Sequence, residues 1–493
     1  MWHFAHALHF GERFSTSISL GYVVRPPRMS KKKTAAIVLA AGLGTRMKSD
    51  LPKVMHPIGG RPMINHLLAT LDKIQVDETV VVVGPDMAGL QAAVAPRKTA
   101  VQHDRAGTGD AVRVGMEALG PFKGNVLILF GDSPLIREQT INAMLEAREA
   151  QSGQLAQGAV PAVVVLGFEP MEPGAYGRLV LDDEDGELME IVEANDATPE
   201  QREIGLCNSG VMCFDGELLP QFLSRLSNDN AKGEYYLTDC VGFAREDGFR
   251  CAVVEGDEEE LIGVNSRVEL AQAEVIFQDA MRDKMMKGGA TLIDPSTVYF
   301  SFDTKIGRDV LIEPNVQFGP GVKINDRVHI KGFCHIEGAT IASGATVGPF
   351  ARLRPGANLG EDVKVGNFVE IKSAEIEQGA KVSHLSYIGD ARVGADANIG
   401  AGTITCNYDG FLKHKTDIGA GAFIGSNTAL VAPVKVGAGA IVGAGSTLTQ
   451  DVGADDIVTT RAELKSAHGA AERFRDRKRA EKEQRQKEKS KKD

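Results

Sequence analysis

Between Ile306 and Leu448 an aliphatic or Phe side chain returns every six residues. The run begins Ile306, Ile312, Phe318, Ile324, Ile330 and Ile336, then slips by one residue to Ile341, Val347, Leu353, Leu359, Val365 and Ile371. It slips again to Ile376, Val382 and Ile388, again to Val393 and Ile399, and after a longer gap closes with Ile418, Ile424, Leu430, Val436, Val442 and Leu448. A glycine follows many of these anchors directly, as at Gly307, Gly348, Gly389, Gly400 and Gly443. Helical faces recur every three to four residues and an ordinary strand alternates by two, so neither period produces this spacing. A solenoid of very short parallel strands does: one anchor per strand points inward and stacks on the coil below, while small residues let the backbone round each corner. The predicted structure here is a parallel β-helix of hexapeptide rungs.

The preceding half reads differently. From about residue 34 to 265, continuous apolar runs such as Ala35–Leu39, Thr79–Val83, Asn125–Phe130 and Ala162–Leu166 alternate with helical stretches. Runs apolar on every position are central strands covered on both faces, which predicts a mixed, mostly parallel α/β sheet with its ligands at the carboxyl ends of the strands. Residues 266–287 carry spaced apolar positions among charges with no internal Gly or Pro, predicting one connecting helix.

Leu39–Lys53, LAAGLGTRMKSDLPK, follows the first apolar run. Gly42 and Gly44 fall where that strand must turn, and glycines there let backbone N–H groups approach an anion. Arg46 and Lys53 add mobile positive charge, so the expected ligand is a nucleotide. A Walker-type loop would need Lys directly after its last Gly, and a dinucleotide fingerprint a third small residue where Met47 stands. Phe130-Gly131-Asp132 ends another apolar run, placing a carboxylate at the same sheet edge, a natural hard-oxygen ligand for Mg²⁺.

The glycine turn followed by Pro52-Lys53 resembles the sugar-nucleotide pyrophosphorylases. From about Met29 to Arg461 the chain is similar to the bifunctional N-acetylglucosamine-1-phosphate uridylyltransferase / glucosamine-1-phosphate acetyltransferase family. That resemblance implies an α/β Rossmann-like nucleotidyltransferase domain (residues 29–265), a linker helix (266–288), a left-handed parallel β-helix acetyltransferase domain (289–460) and a basic charged tail (461–493). It also implies that Leu39, Ala40, Ala41 and Gly42 hold the nucleotide, that Lys53 and Arg46 meet its phosphates, and that Gln102 with Gly107 and Thr108 reads the uracil edge. Gly131 joins the nucleotide-binding set, while Gly177, Glu193, Asn208, Tyr236 and Thr238 surround the sugar. The same resemblance implies that Asp132 and Asn265 share the metal. One departure is Phe130, where similar enzymes often carry Tyr, so that position is expected only to pack.

Within the repeat, the Thr405–Thr416 stretch TCNYDGFLKHKT is inserted sequence that stacking does not need. His384 by itself is one of eleven histidines. A neutral imidazole is nonetheless the natural base for a sugar ammonium, and Glu370 in a neighbouring rung is expected to orient it. Arg354 and Lys372 suit a sugar phosphate. By the resemblance, Arg354, Lys372, Tyr387 and Asn398 hold glucosamine 1-phosphate, and His384 takes the amine proton as it attacks acetyl-CoA. The resemblance further implies that Ala401, Asn407, Tyr408, Ser426, Ala444 and Arg461 line the coenzyme A groove. The implied product, UDP-N-acetylglucosamine, serves peptidoglycan and lipopolysaccharide synthesis, with Mg²⁺, UTP and acetyl-CoA as cofactor and cosubstrates and a homotrimer as the assembly. The competing reading keeps a single sugar-1-phosphate nucleotidyltransferase whose β-helix serves only oligomerisation or regulation.

Bulk properties narrow the partners. A formal net charge of -11 disfavours wholesale attraction to nucleic acid or anionic membrane. Six scattered cysteines without a CxxC pair predict a reducing, cytoplasmic setting and no zinc site. No apolar run is long enough for a membrane span. Residues 1–28 read as an extension ahead of a working start at Met29, with a transit peptide as the alternative. The tail from Arg461, with 13 Lys or Arg against 7 Asp or Glu, is expected to be a solvated helix or a disordered extension.

Overall fold

The computed structural model describes residues 32–150, 160–182, 184, 186–230 and 232–489, so the expectation for residues 1–28 lies outside the described residues. The amino-terminal half is built on a nine-stranded sheet whose main path runs Cys251–Glu255, Val163–Phe168, Cys207–Asp215, Asn125–Phe130, Thr34–Leu39, Glu78–Val83 and Lys98–Val101. Thr34–Leu39 is parallel to both neighbours, and Cys207–Asp215 is antiparallel to both of its own. Alternation along the central strand splits the core in two. Ala35, Ile37 and Leu39 pack with the Thr108–Leu119 helix on one face, and Ala36 and Val38 pack with Met63–Lys73 and Glu138–Glu149 on the other. Full burial on both faces is why these runs carry no polar alternation.

In the carboxyl half the six-residue anchors become three stacks. One face runs Ile312, Ile330, Val347, Val365, Val382, Ile399, Ile424 and Val442, each paired in parallel with the next. The second runs Phe318, Ile336, Leu353, Ile371 and Ile388, and the third Ile306, Ile324, Ile341, Leu359, Ile376, Val393, Ile418 and Val436. Together they form the left-handed parallel β-helix and a single continuous apolar core. The slips in the repeat have one location. Ile336 to Ile341, Ile371 to Ile376 and Ile388 to Val393 all cross from the second face to the third, so shortening that corner leaves every stack in register.

The insertion occupies the same corner, and here the structure corrects the sequence reading of its bounds. Thr405 is itself an anchor of the second face, paired with Leu430, 1 % exposed and accepting from the Gly389 N–H at 2.8 Å through its hydroxyl. Thr416 likewise lies in the strand Thr416–Ile418, so the loop proper is residues 407–415. A buried polar anchor carries no hydrophobic signal, which is why the repeat looked broken there.

The connecting helix, Arg267–Lys287, opens on a Ser266/Glu269 capping box. Ala273 packs with Ile58, Met63 and Val264 of the first half, while Met281 and Met285 join the β-helix core. Gln278 exchanges two hydrogen bonds with the Phe300 backbone, at 2.7 and 2.8 Å, which locks the helix to the first coil. No described helix is long and apolar enough to cross a membrane. The tail contains the helix Ala470–Lys489, and its described side chains are almost all exposed.

Candidate functional sites

A cavity of about 290 Å³ opens at the carboxyl ends of the Thr34–Leu39 and Asn125–Phe130 strands. Ten residues singled out in the sequence line it: Leu39, Ala40, Ala41, Gly42, Lys53, Gln102, Gly107, Thr108, Phe130 and Asp132. Gln102, 4 % exposed, donates through Nε2 to the Gly107 carbonyl at 3.1 Å and to Asp110 at 2.8 Å, leaving Oε1 as its accepting end. Gly107 adopts φ +109°, and a Cβ there would meet the Tyr235 backbone at 2.7 Å, so only glycine fits. The Tyr235 N–H and C=O bond Ala106 and Gly109, and the Thr108 hydroxyl accepts from the Leu237 N–H at 3.2 Å. These bonds tie the nucleotide-side loop to the segment carrying Tyr236 and Thr238.

Three side chains from distant segments meet at this cavity. The Lys53 ammonium donates to the Asp132 carboxylate and, at 3.0 Å, to Asn265 Oδ1. Asp132 and Asn265 are thereby joined around one cation, with Asp132 beyond a strand end and Asn265 just ahead of the Ser266 helix cap. A carboxylate and an amide oxygen converging on one positive charge form a donor set suited to a hard divalent ion that keeps its other ligands from phosphate and water. Arg46, in contrast, is exposed on the short Thr45–Met47 turn and does not line the cavity.

The remaining residues gather beside it. Gly177 accepts from the Asn208 N–H at 2.8 Å, and Asn208 Oδ1 accepts from the Gly210 N–H at 2.8 Å. The Phe130 ring fills the space that a side chain at Gly210 would take, so it packs as expected. Burial holds the Glu193 carboxyl above its usual range, partly offset by Lys232 and by a hydrogen bond from Thr238, and burial beside Glu193 raises the Tyr236 hydroxyl. Gly131 donates to the Leu39 carbonyl at 2.9 Å, joining the two strand ends. Arg105 was not singled out from sequence. It lines the cavity and donates to the Ala41 carbonyl at 2.8 Å, although it sits inside the VQHDRAGTGDA motif as a cation two residues before Gly107.

On the β-helix, Arg354 donates to Glu370 at 2.8 Å, and this hydrogen bond holds the guanidinium pKa up. Tyr387 stacks on Glu370 in register, and its hydroxyl accepts from Asn407 at 3.4 Å, while Asn407 also donates to Asp390 at 2.5 Å. Lys372 faces Lys413 of the inserted loop, whose proximity lowers the Lys372 ammonium pKa. Two cations this close to each other suit a dianion. Asp390 and Lys413 were missed because nothing in their own spacing marks them, only the loop that brings Lys413 back.

His384 stands elsewhere. It closes the strand Lys381–His384 on the first face, is exposed, and its Nδ1 bonds Asn367 Oδ1 at 2.6 Å. Within one chain Glu370 pairs with Arg354, and the His384 ring is held by Asn367. With the Asn367 amide oxygen as acceptor, Nδ1 is the donating nitrogen of the neutral ring and Nε2 the one that can act as a base. Asn398 pairs with Lys381 on the same face. Ala401, Ser426 and Ala444 follow one another up a corner, Asn427 donating to Ala401 and Gly445 to Ser426 at 2.7 and 2.8 Å, with the Arg461 side chain beside Gly443 and Gly445. Asn407 and Tyr408 lie on the inserted loop instead. That loop is ordered by Asp409, whose carboxyl is pulled down to about 2 by the Leu412 N–H, His414 and the Phe411 N–H.

Comparison with known proteins covers both halves. The model of the MobA-like NTP transferase domain matches residues 36–188, and that of the bacterial transferase hexapeptide (six repeats) matches 303–338 and 415–450. The chain is 58% identical over 447 residues to the bifunctional protein GlmU of Paramagnetospirillum magneticum, covering 91% of this chain and 98% of that one. It is 60% identical over 443 residues to the protein of the same name from Rhodospirillum rubrum, covering 90% and 97%. The relative from Sphingopyxis alaskensis is 54% identical over 443 residues, covering 90% and 96%.

Proposed function

The chain belongs to the family of the bifunctional protein GlmU and joins an acetyltransferase to a uridylyltransferase, and from that premise we propose which side chains perform each step. The enzyme acetylates glucosamine 1-phosphate with acetyl-CoA, then transfers UMP from UTP to N-acetylglucosamine 1-phosphate, releasing pyrophosphate and UDP-N-acetylglucosamine. We assign uridylyl transfer to residues 29–265, acetyl transfer to 289–460, and the connection to 266–288.

The meeting of Lys53, Asp132 and Asn265 carries the uridylyl assignment. Leu39 to Gly42 and the Gln102–Thr108 loop hold the nucleotide, and Oε1 of Gln102 accepts from the base. Gly177, Glu193, Asn208, Tyr236 and Thr238 hold the sugar so that its phosphate faces the α-phosphorus. Asp132 and Asn265 would hold Mg²⁺, which when bound neutralises phosphate oxygens. Lys53, released from those two residues, donates to the charge that develops as the α-phosphorus is attacked, and Arg46 on its exposed turn meets the outer phosphates. No protein nucleophile is needed.

For acetyl transfer, His384 Nε2 accepts the proton of the sugar amine while Asn367 holds the ring. The amine attacks the thioester carbonyl and the coenzyme A thiol leaves. Arg354, Lys372 and Tyr387 bind the sugar phosphate, Asn398 contacts the sugar, and Glu370 fixes Arg354. The coenzyme lies along Ala401, Ser426, Ala444 and Arg461 with Asn407 and Tyr408 from the loop. In one chain these groups sit on different faces of the β-helix, which supports a homotrimer whose sites form between neighbouring coils. An exposed ladder of stacked Phe333, Phe350 and Phe368, with ring centroids 4.9 and 5.2 Å apart, offers apolar surface for that packing. Substrates of this kind and unpaired cysteines support a cytoplasmic setting.

One coupled assay tests the whole reading. Purified protein with glucosamine 1-phosphate, acetyl-CoA, UTP and Mg²⁺ should yield UDP-N-acetylglucosamine, and omission of any one should abolish it. Product without acetyl-CoA, or without a divalent ion, would overturn the corresponding assignment.

A further inference from the structure

A second cavity, of about 400 Å³, lies away from both substrate sites, between the first helix, the connecting helix and the start of the β-helix. Its lining carries four cations, Arg61, Lys73, Arg137 and Lys284, against one carboxylate, Glu138, in a chain whose net charge is -11. Two of these charges are already matched: Lys73 faces Glu138 at 3.6 Å, and Arg137 pairs with Asp257 at 2.9 Å and Glu260 at 3.2 Å. Arg61 and Lys284 have no ion-pair partner among the described residues. Asp72, whose charge acts on Arg61, is taken by a two-pronged bond from Arg97 at 2.6 and 2.7 Å. The half-buried Arg61 guanidinium instead lies over the Phe302 ring, 5.0 Å from its centroid.

A partly desolvated guanidinium without a counter-charge is costly unless an anion completes it. Volume in this range takes a small molecule, and the Phe277, Met281 and Phe302 side of the wall suits a compact organic body. We propose that this crevice binds a small phosphorylated molecule, with Arg61 and Lys284 holding its phosphate. The placement gives such a ligand consequences. Arg61 closes the hairpin Pro57–Pro62 that follows the Lys53 turn, the Pro134–Gln139 wall follows Asp132, and Phe302 donates its N–H to the Gly59 carbonyl at 2.8 Å. The occupant touches the segments that carry Lys53 and Asp132 together with the element joining the two halves.

The test locates the anion directly. Crystals of the full chain are soaked in tungstate, a heavy tetrahedral surrogate for phosphate, and its anomalous signal is mapped in wild type, Arg61→Gln, Arg61→Lys and Lys284→Gln. A peak within hydrogen-bond reach of Arg61 is expected in wild type and Arg61→Lys, lost in Arg61→Gln and weakened in Lys284→Gln. Peaks at the nucleotide cavity or near Lys372 should persist in every variant, which also shows that each is folded. Isothermal titration with inorganic phosphate should show one class of sites fewer in Arg61→Gln. An empty crevice in wild-type crystals whose other sites fill, or a crevice peak that survives Arg61→Gln, overturns the proposal. Because no turnover is measured, the outcome is independent of the catalytic assignments.

Discussion

Replacing Asp132 by Asn separates chemistry from folding. The Asp132 and Lys53 side chains are only 17% and 15% exposed, so their pairing is worth more than a surface ion pair but less than a sealed one. Lys53 keeps the Asn265 oxygen at 3.0 Å and gains a neutral amide oxygen at position 132, which limits the stability loss to about 1–2 kcal/mol. In a domain of this size that lowers Tm by roughly 2–8 °C. Catalysis should suffer more. Losing one charged ligand beside the reacting phosphate, where charge grows during the step, removes about 3–4 kcal/mol of transition-state stabilisation, or roughly 10²–10³ in kcat. The assay is pyrophosphate release from UTP and N-acetylglucosamine 1-phosphate over a Mg²⁺ titration, with acetyl transfer followed on the same preparation. Acetyl transfer should stay at the wild-type rate. Uridylyl transfer within a few-fold of wild type at ordinary Mg²⁺ would refute the assignment of Asp132 as the ion's carboxylate, and parallel loss of both activities would show that the change unfolds the chain.

Further outcomes follow from other parts of the structure. His384→Ala should abolish acetyl transfer and spare uridylyl transfer, while Asn367→Ala should reduce acetyl transfer by roughly 10–100-fold by freeing the imidazole tautomer. Gly107→Ala forces φ +109° on a residue with a Cβ and drives that atom into the Tyr235 backbone, so UTP binding measured by calorimetry should be lost. Ile371→Ala, at a fully buried anchor of the second face, should cost about 2–5 kcal/mol in denaturant unfolding monitored on the β-helix. The His56 imidazole is held below its usual pKa by burial and then by Arg267. The folded state therefore favours the neutral ring, and the stability this contributes is present above about pH 6.5 and lost as pH falls through the lowered value. Tm should drop between pH 7 and pH 5 by less in His56→Gln than in wild type.

Much of the fold was legible because its signals are local. An anchor every six residues states the β-helix directly, and uniformly apolar runs state the buried parallel strands, since both patterns reflect which side of a short strand meets the core. The glycine turn with Lys53, and Asp132 beyond a strand end, could be placed at one sheet edge by the same logic. The bounds of the inserted loop could not, because Thr405 is a buried anchor without a hydrophobic side chain. Nor could the partners of the site residues. Within one chain Glu370 meets Arg354 and His384 meets Asn367, because a six-residue rung turns the chain onto a new face and a single corner decides which neighbours in sequence meet. Lys413 returning to Lys372, and Arg105 to the Ala41 carbonyl, likewise depend on loops whose course no period encodes.

The chain's own order of residues determined the two architectures, the glycine turn and the residue types available for each reaction, since strand length, burial and backbone freedom are properties of short segments. Tertiary structure alone decided that Lys53, Asp132 and Asn265 share one point, that Asn367 holds His384, and that Arg61, with no ion-pair partner among the described residues, faces a crevice between the halves. Those are distances between segments far apart in the chain, and only packing sets them.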